Sequence, residues 1–170
     1  MTLVVLVGGA RAGKSALALE EAGRWNGPVA YIATAAARDE EMAERIERHR
    51  RGRPESWSTV EEPLELLGAL ESLPDDCGAV VDCLTLWVSN ALERGDDDAA
   101  IVHEAARVVE HAASRTAPVI VVTNEVGLGI VPANELARRY RDVLGEVNRT
   151  FVARADSAAF VVAGKALTLS

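Results

Sequence analysis

Leu3-Val4-Val5-Leu6-Val7-Gly8-Gly9-Ala10-Arg11-Ala12-Gly13-Lys14-Ser15 is the stretch whose reading decides the fold. A short run of apolar residues without polar alternation, bounded by a turn, is the pattern of a strand buried on both faces. A Gly-rich turn follows at once, and residues 15–24, rich in Ala, Leu and Glu, then read as a helix. Gly8, Gly13, Lys14 and Ser15 satisfy G-x-x-x-x-G-K-[ST] in the strand–turn–helix setting which that motif requires. The glycines let the backbone fold tightly, so that successive N–H groups face phosphate oxygens at a helix N-terminus carrying partial positive charge. Lys14 is expected to reach the β and γ phosphates and Ser15 to ligate Mg²⁺. A chance Gly-rich turn is the competing reading, and four fixed positions with the correct flanks weigh heavily against it.

Working outward, continuous apolar runs recur at residues 29–32, 79–81, 119–122 and 158–162, each short and not alternating. Between them, apolar spacing near the helical period predicts helices over 39–51, 63–72, 84–92, 99–115 and 134–154. The last run, 166–169, follows the Ala163-Gly164-Lys165 turn so closely that it is expected to pair antiparallel with 158–162. The expected fold is therefore α/β: a P-loop NTPase, RecA-like, with a mainly parallel sheet flanked by helices and a C-terminal antiparallel edge hairpin. The 170 residues are expected to form one domain, since that length suits a single core.

Composition narrows the function classes. Hydrophobic residues at 49% and charged residues at 26% describe an ordinary globular chain. A formal charge of −8 argues against broad nucleic-acid binding, although a local basic cluster suffices for one nucleotide. No apolar run approaches the roughly 18 residues of a membrane span, so a cytoplasmic protein is expected. Cys77 and Cys83 have neither zinc nor redox spacing, and Arg107 stands where a second histidine would complete the pattern begun by His103-Glu104. In Gly95-Asp96-Asp97-Asp98 the carboxylates read as helix caps ahead of metal ligands.

A second acid is expected to complete the metal site. Asp82 directly follows the run 79–81, where a strand's C-terminal end would present a Walker-B-like carboxylate. Its competing role is to cap the helix beginning at Leu84. A regulatory GTPase would need DxxG after this acid and NKxD beyond it. Asp82-Cys83-Leu84-Thr85 is not the first, and Thr123-Asn124-Glu125-Val126 is not the second. Motifs alone thus favour a small-molecule kinase or nucleotidyltransferase. A regulatory nucleotide-binding module, or a kinase for some other small alcohol, remain the alternatives.

Several separate segments sharpen this. Beyond the P-loop they are Tyr31-Ile32-Ala33-Thr34, Asp39-Glu40-Glu41-Met42 with Arg45-Ile46, the stretch from His49 to Pro54, Trp57, and Thr123-Asn124-Glu125-Val126-Gly127-Leu128-Gly129-Ile130-Val131-Pro132. Together the chain resembles the bifunctional adenosylcobinamide kinase and adenosylcobinamide-phosphate guanylyltransferase family of cobalamin biosynthesis. That resemblance implies phosphorylation of adenosylcobinamide by a nucleoside triphosphate, ATP or GTP, and then transfer of GMP from GTP through a covalent guanylyl-histidine. It places the histidine at His49. It implies nucleotide contacts from Gly8, Gly9, Ala10, Arg11, Ala12, Gly13, Lys14 and Ser15, from Thr34, Ala35 and Ala36, from Arg50, Arg51, Gly52 and Arg53, and from Glu61 and Asp82. Ala35 and Ala36 carry no polar side chain, so theirs would be backbone contacts. It also implies Mg²⁺ as metal and a homotrimer.

The local chemistry agrees with that assignment. His49 lies among Arg45, Arg48, Arg50, Arg51 and Arg53, whose charges would offset the charge growing on a reacting α-phosphate and disfavour the imidazolium form. Residues alone favour the plainer reading, a solvated basic helix end with an incidental histidine, and the resemblance reverses the balance. Residues 124–132 read as a loop over the C-terminal rim of the sheet, either shaping the acceptor site or serving as a connection. Arg138, Arg139 and Arg141 read as ordinary helix-surface residues.

Overall fold

A computed structural model describes residues 3–36, 40, 44 and 50–169. Seven strands form one sheet: β1 (Leu3–Gly8), β2 (Val29–Ala33), β3 (Ser58–Glu61), β4 (Gly78–Asp82), β5 (Val119–Asn124), β6 (Ser157–Val162) and β7 (Lys165–Leu169). Their order across the sheet is β3-β2-β4-β5-β1-β6-β7. Each neighbouring pair is parallel except β6 with β7, the antiparallel edge hairpin. Five described helices accompany it: α1 (Lys14–Ala22), α2 (Leu66–Glu71), α3 (Leu84–Arg94), α4 (Asp98–Ser114) and α5 (Glu135–Arg154). Of the helix predicted over 39–51, residues 40, 44, 50 and 51 are helical and the others lie outside the described residues.

Strand residues alternate between two cores, which is why the runs are continuous rather than amphipathic. Leu3, Val5, Val7, Val81, Val119 and Val121 pack with apolar residues of α2 to α5, such as Leu84, Trp87, Val108, Leu144 and Phe151. Leu6, Tyr31, Ala33, Val80, Ile120 and Val122 face the other way, against Ala18 and Ala22 of α1. β1 thus lies inside the sheet, covered on both sides, and its C-terminal end is held rigidly where the Gly-rich turn begins. No helix among the described residues is long and apolar enough to cross a membrane.

Two differences from the sequence reading concern the site. β3 was not predicted: its residues Ser58, Thr59 and Glu61 are exposed and only Val60 is half-buried, so an edge strand leaves no apolar run to detect. The helix predicted over 63–72 is confined to Leu66–Glu71, because Glu62 caps the preceding turn, its Oε1 accepting from the N–H groups of Leu64 at 3.0 Å and Glu65 at 2.9 Å.

Candidate nucleotide site

The ends of the parallel strands set out the site. Gly8 of β1 lies opposite Asn124 of β5, Asp82 of β4 opposite Ala33 of β2, and Ala33 in turn opposite Glu61 of β3. This C-terminal rim is where open α/β sheets hold their ligands.

At its centre the turn from β1 to α1 has the backbone the motif anticipates. Gly13 sits at the α1 N-cap with φ of 102°, a left-handed conformation that costs a side chain energy, and Arg11 is also left-handed at 58°. Gly8 answers a different need. A Cβ there would lie 2.3 Å from the carbonyl oxygen of Val161 in β6, so the close pairing of β1 with β6 admits only hydrogen. The turn is braced from outside by the β6–β7 hairpin, whose Gly164 N–H donates to Ala12 O at 2.8 Å.

Lys14 is 6% exposed. Its Nζ donates to the carbonyls of Gly8 at 2.9 Å and Gly9 at 2.7 Å, so the ammonium lies within the loop that its own backbone forms. Gly8 O also accepts from the N–H of Glu125 at 3.1 Å, which ties the start of the loop after β5 to the cradle.

Next to Lys14, the Ser15 Oγ donates to Asp82 Oδ2 at 2.9 Å. Asp82 is the last residue of β4, one position before the α3 N-cap Cys83, and its carboxylate meets Ser15. Tyr31 donates its phenol to the same Oδ2. Burial first, and the Asp82 carboxylate second, push the Tyr31 pKa up, and the phenol remains a donor. Burial and then Asp82 likewise push the Cys83 thiol up to about 11. A hydroxyl and a carboxylate facing each other beside a phosphate loop are hard oxygen donors, a set that fits Mg²⁺, which takes few protein ligands and completes its shell with phosphate oxygens and water.

Thr34 is fully buried and its polar atoms are engaged. Its N–H donates to Asp82 O at 3.1 Å, its Oγ1 donates to Cys83 O at 2.7 Å and accepts from Cys83 N at 2.8 Å, and its carbonyl accepts from Asn90 Nδ2 at 2.8 Å. Thr34 therefore stitches β2 to the β4–α3 turn, and the accessible surface beyond it belongs to half-buried Ala35 and Ala36.

The basic segment lies on the outer strands. Arg50 forms an ion pair with Glu61, so two of the expected nucleotide contacts meet each other. Arg51 and Gly52 are exposed. Arg53 donates through Nη1 to Thr59 Oγ1 at 3.1 Å and stacks its guanidinium on the Tyr31 ring, 3.5 Å from the centroid. His49, with Arg45 and Arg48, lies outside the described residues. Sequence reasoning missed Asn90, which also donates to Pro63 O at 3.0 Å, and Thr85, whose Oγ1 accepts from Asn124 N at 2.8 Å. Polar residues inside an otherwise apolar helix were the available signal. Of the three aspartates, Asp97 is the cap, accepting from Ala100 N at 2.8 Å, whereas Asp96 pairs with Arg94.

A family model described as cobinamide kinase / cobinamide phosphate guanyltransferase matches residues 4–169. The chain is 42% identical over 166 residues to the bifunctional adenosylcobalamin biosynthesis protein CobP of Pseudomonas aeruginosa, covering 97% of this chain and 95% of that one. It is 40% identical over 182 residues to the bifunctional adenosylcobalamin biosynthesis protein CobU of Salmonella typhimurium, covering 95% and 96%. Among solved structures, an ATPase from a bacterial type III secretion system is similar at a TM-score of 0.56 and 11% identity, over 98% of this chain and 56% of that one. The RadB recombinase is similar at 0.52 and 18% identity, over 94% and 73%. At such identities the likeness is one of fold.

Proposed function

The chain belongs to the cobinamide kinase / cobinamide phosphate guanyltransferase family, and from that premise we propose how its residues divide two reactions on adenosylcobinamide. In the first, the acceptor hydroxyl attacks the γ-phosphorus of ATP or GTP, the bond to the β-phosphate oxygen breaks, and the nucleoside diphosphate leaves. In the second, an imidazole nitrogen of His49 attacks the α-phosphorus of GTP and pyrophosphate leaves. A phosphate oxygen of the first product then displaces His49, giving adenosylcobinamide-GDP.

The observation that carries this reading is the Lys14 ammonium 2.7 to 2.9 Å from the loop carbonyls, beside the Ser15–Asp82 pair at 2.9 Å. Phosphoryl transfer through a loose transition state asks a protein mainly for positioning and positive charge. Backbone N–H groups of the turn and of the α1 N-terminus orient the triphosphate, and Lys14 exchanges its carbonyl partners for β and γ oxygens. Ser15 and Asp82 would hold Mg²⁺, which when bound neutralises charge on those oxygens. On the other side of the rim, Arg50, Arg51 and Arg53 supply the charge needed where the α-phosphate meets His49, and Gly52 between them offers its backbone to the nucleotide. Glu61 holds Arg50, and the backbone at Ala35 and Ala36 borders the nucleotide.

The deciding experiment uses GTP labelled at the α-phosphate. Wild-type protein should retain label after denaturation, in an acid-labile, base-stable bond. His49→Ala should lose the adduct and the GDP-linked product while still phosphorylating adenosylcobinamide. Full transferase activity in that variant would remove His49 from the mechanism.

We also propose that the chain works as a homotrimer in the cytoplasm. Leu128, Ile130, Val131 and Leu136, in and just after one loop, are between 60% and 97% exposed, and grouped exposed apolar side chains are what a subunit contact would cover. The mass in solution by light scattering should be three times the 18.1 kDa of one chain, and a monomer would refute this.

A further inference from the structure

Tyr31 is 2% exposed, in the middle of a strand whose other residues are apolar. Burying a phenol there costs free energy that a Phe or Leu would not incur, unless the hydroxyl gains a partner. Its partner is Asp82 Oδ2, the oxygen that Ser15 Oγ also donates to at 2.9 Å. The ring has a second occupation. Arg53 lies over it at 3.5 Å from the centroid, and Arg53 Nε is buried without a hydrogen-bond partner among the described residues, so stacking and one bond to Thr59 hold this guanidinium. β2 runs between β3, on which the basic segment rests, and β4, which carries Asp82.

We propose that Tyr31 is a positioning residue that registers the two halves of the site on one side chain: its hydroxyl fixes the Asp82 carboxylate toward Ser15, and its ring seats Arg53 and the segment 50–53 beside the nucleotide. The inference rests on the function proposed above. A carboxylate held by two hydroxyl donors has lost rotational freedom before metal or water reaches it, which is the preorganisation an electrostatic site requires. The seat for Arg53 is specific to a guanidinium, whose plane stacks on an aromatic face as an ammonium's does not.

Tyr31→Phe separates the two roles, because it keeps the ring and removes the donor. Affinity for a non-hydrolysable GTP analogue should be measured against Mg²⁺ concentration, with a thermal melt alongside. The expected result is a roughly tenfold higher Mg²⁺ requirement for tight binding, the scale of one lost hydrogen bond to a charged group, with metal-free affinity unchanged. In an Asp82→Asn background the same substitution should add nothing. An unaltered Mg²⁺ requirement, or an additive effect in that background, overturns the hydroxyl's role.

The ring's role is read from the covalent adduct. Tyr31→Leu should form the guanylyl adduct about tenfold more slowly than Tyr31→Phe, an expected loss on the scale of a desolvated cation–π contact, and equal rates overturn it. Should either Tyr31 variant fail to fold, Arg53→Met at the half-buried position is the substitute. It should slow adduct formation with no change in Mg²⁺ requirement, and a wild-type rate overturns the proposal. Wild-type protein distinguishes the levels: if it shows neither Mg²⁺-dependent binding nor an adduct, the proposed function falls and this inference with it. If it shows both and the variants match it, only the role of Tyr31 falls.

Discussion

Lys14 carries its charge at 6% exposure, which is tolerable because its ammonium donates to Gly8 and Gly9. Those carbonyls keep other donors, Gly8 O the N–H of Glu125 and Gly9 O that of Ala12, so removing the side chain should leave the fold nearly intact and strike at the triphosphate. Lys14→Ala is expected to lower kcat for phosphorylation by about 100-fold or more and to weaken triphosphate binding at least about tenfold. Calorimetric affinity and initial rates check this together, and near-wild-type values for both would refute the cradle. Residues 8–15 were legible because everything that makes them a cradle is local, with spacing, glycines and flanks falling within one turn. Tyr31, Thr34 and Asn90 were not legible as a framework. Tyr31 meets Asp82 across 51 positions of sequence and Asn90 meets Thr34 across 56. A single sequence shows the polar residue in the apolar run and not the partner that explains it.

Elements were read from their apolar pattern, and they were read well where burial made that pattern. β1, β2, β4 and β5 are buried and β6 is partly so, and all came through, while exposed β7 was read from the turn before it and exposed β3, with no apolar run or tight turn, was not. The same blindness hid the joint at the opposite rim. Arg115, just after α4 and 5% exposed, donates to Leu70 O at 3.2 Å, Leu73 O at 3.4 Å, Pro74 O at 2.6 Å and Cys77 O at 3.0 Å. One guanidinium thus satisfies the carbonyls that end α2 and lead into β4. Arg115→Met would take this donor from all four, of which Leu70 O and Pro74 O keep the N–H groups of Leu73 and Cys77, and is expected to cost about 3 kcal/mol. The melting temperature should fall by roughly 6–12 °C, while KM for GTP stays put because this rim is opposite the candidate nucleotide site. A melt unchanged within 2 °C, or a shifted KM, would contradict this account.

At the scale of the whole molecule, burial holds protons on acids that titrate more readily in an unfolded chain. Cys83 is raised from 9.0 to about 11 and Tyr140 from 10.0 to about 12, each chiefly by burial, and Tyr31 is raised as well. Groups whose folded pKa lies above the unfolded one give their full stabilisation below the unfolded value and lose it as pH rises through the folded value. Stability should therefore be flat up to about pH 9 and decline from there to about pH 12. Cys83→Ala should flatten the first part of that decline in urea titrations. An equal slope in the variant would show that the thiol does not contribute. Another whole-molecule feature has a different kind of consequence. The cradle and what presses on it, Val161 and Gly164, lie about 150 residues apart along the chain. During synthesis the phosphate loop leaves the ribosome about 150 residues before its buttress does. Until β6 and the hairpin dock, β1 has an open flank and the loop has no wall on that side. Completion of the walls around the phosphate loop thus waits on residues made about 150 positions after the loop itself.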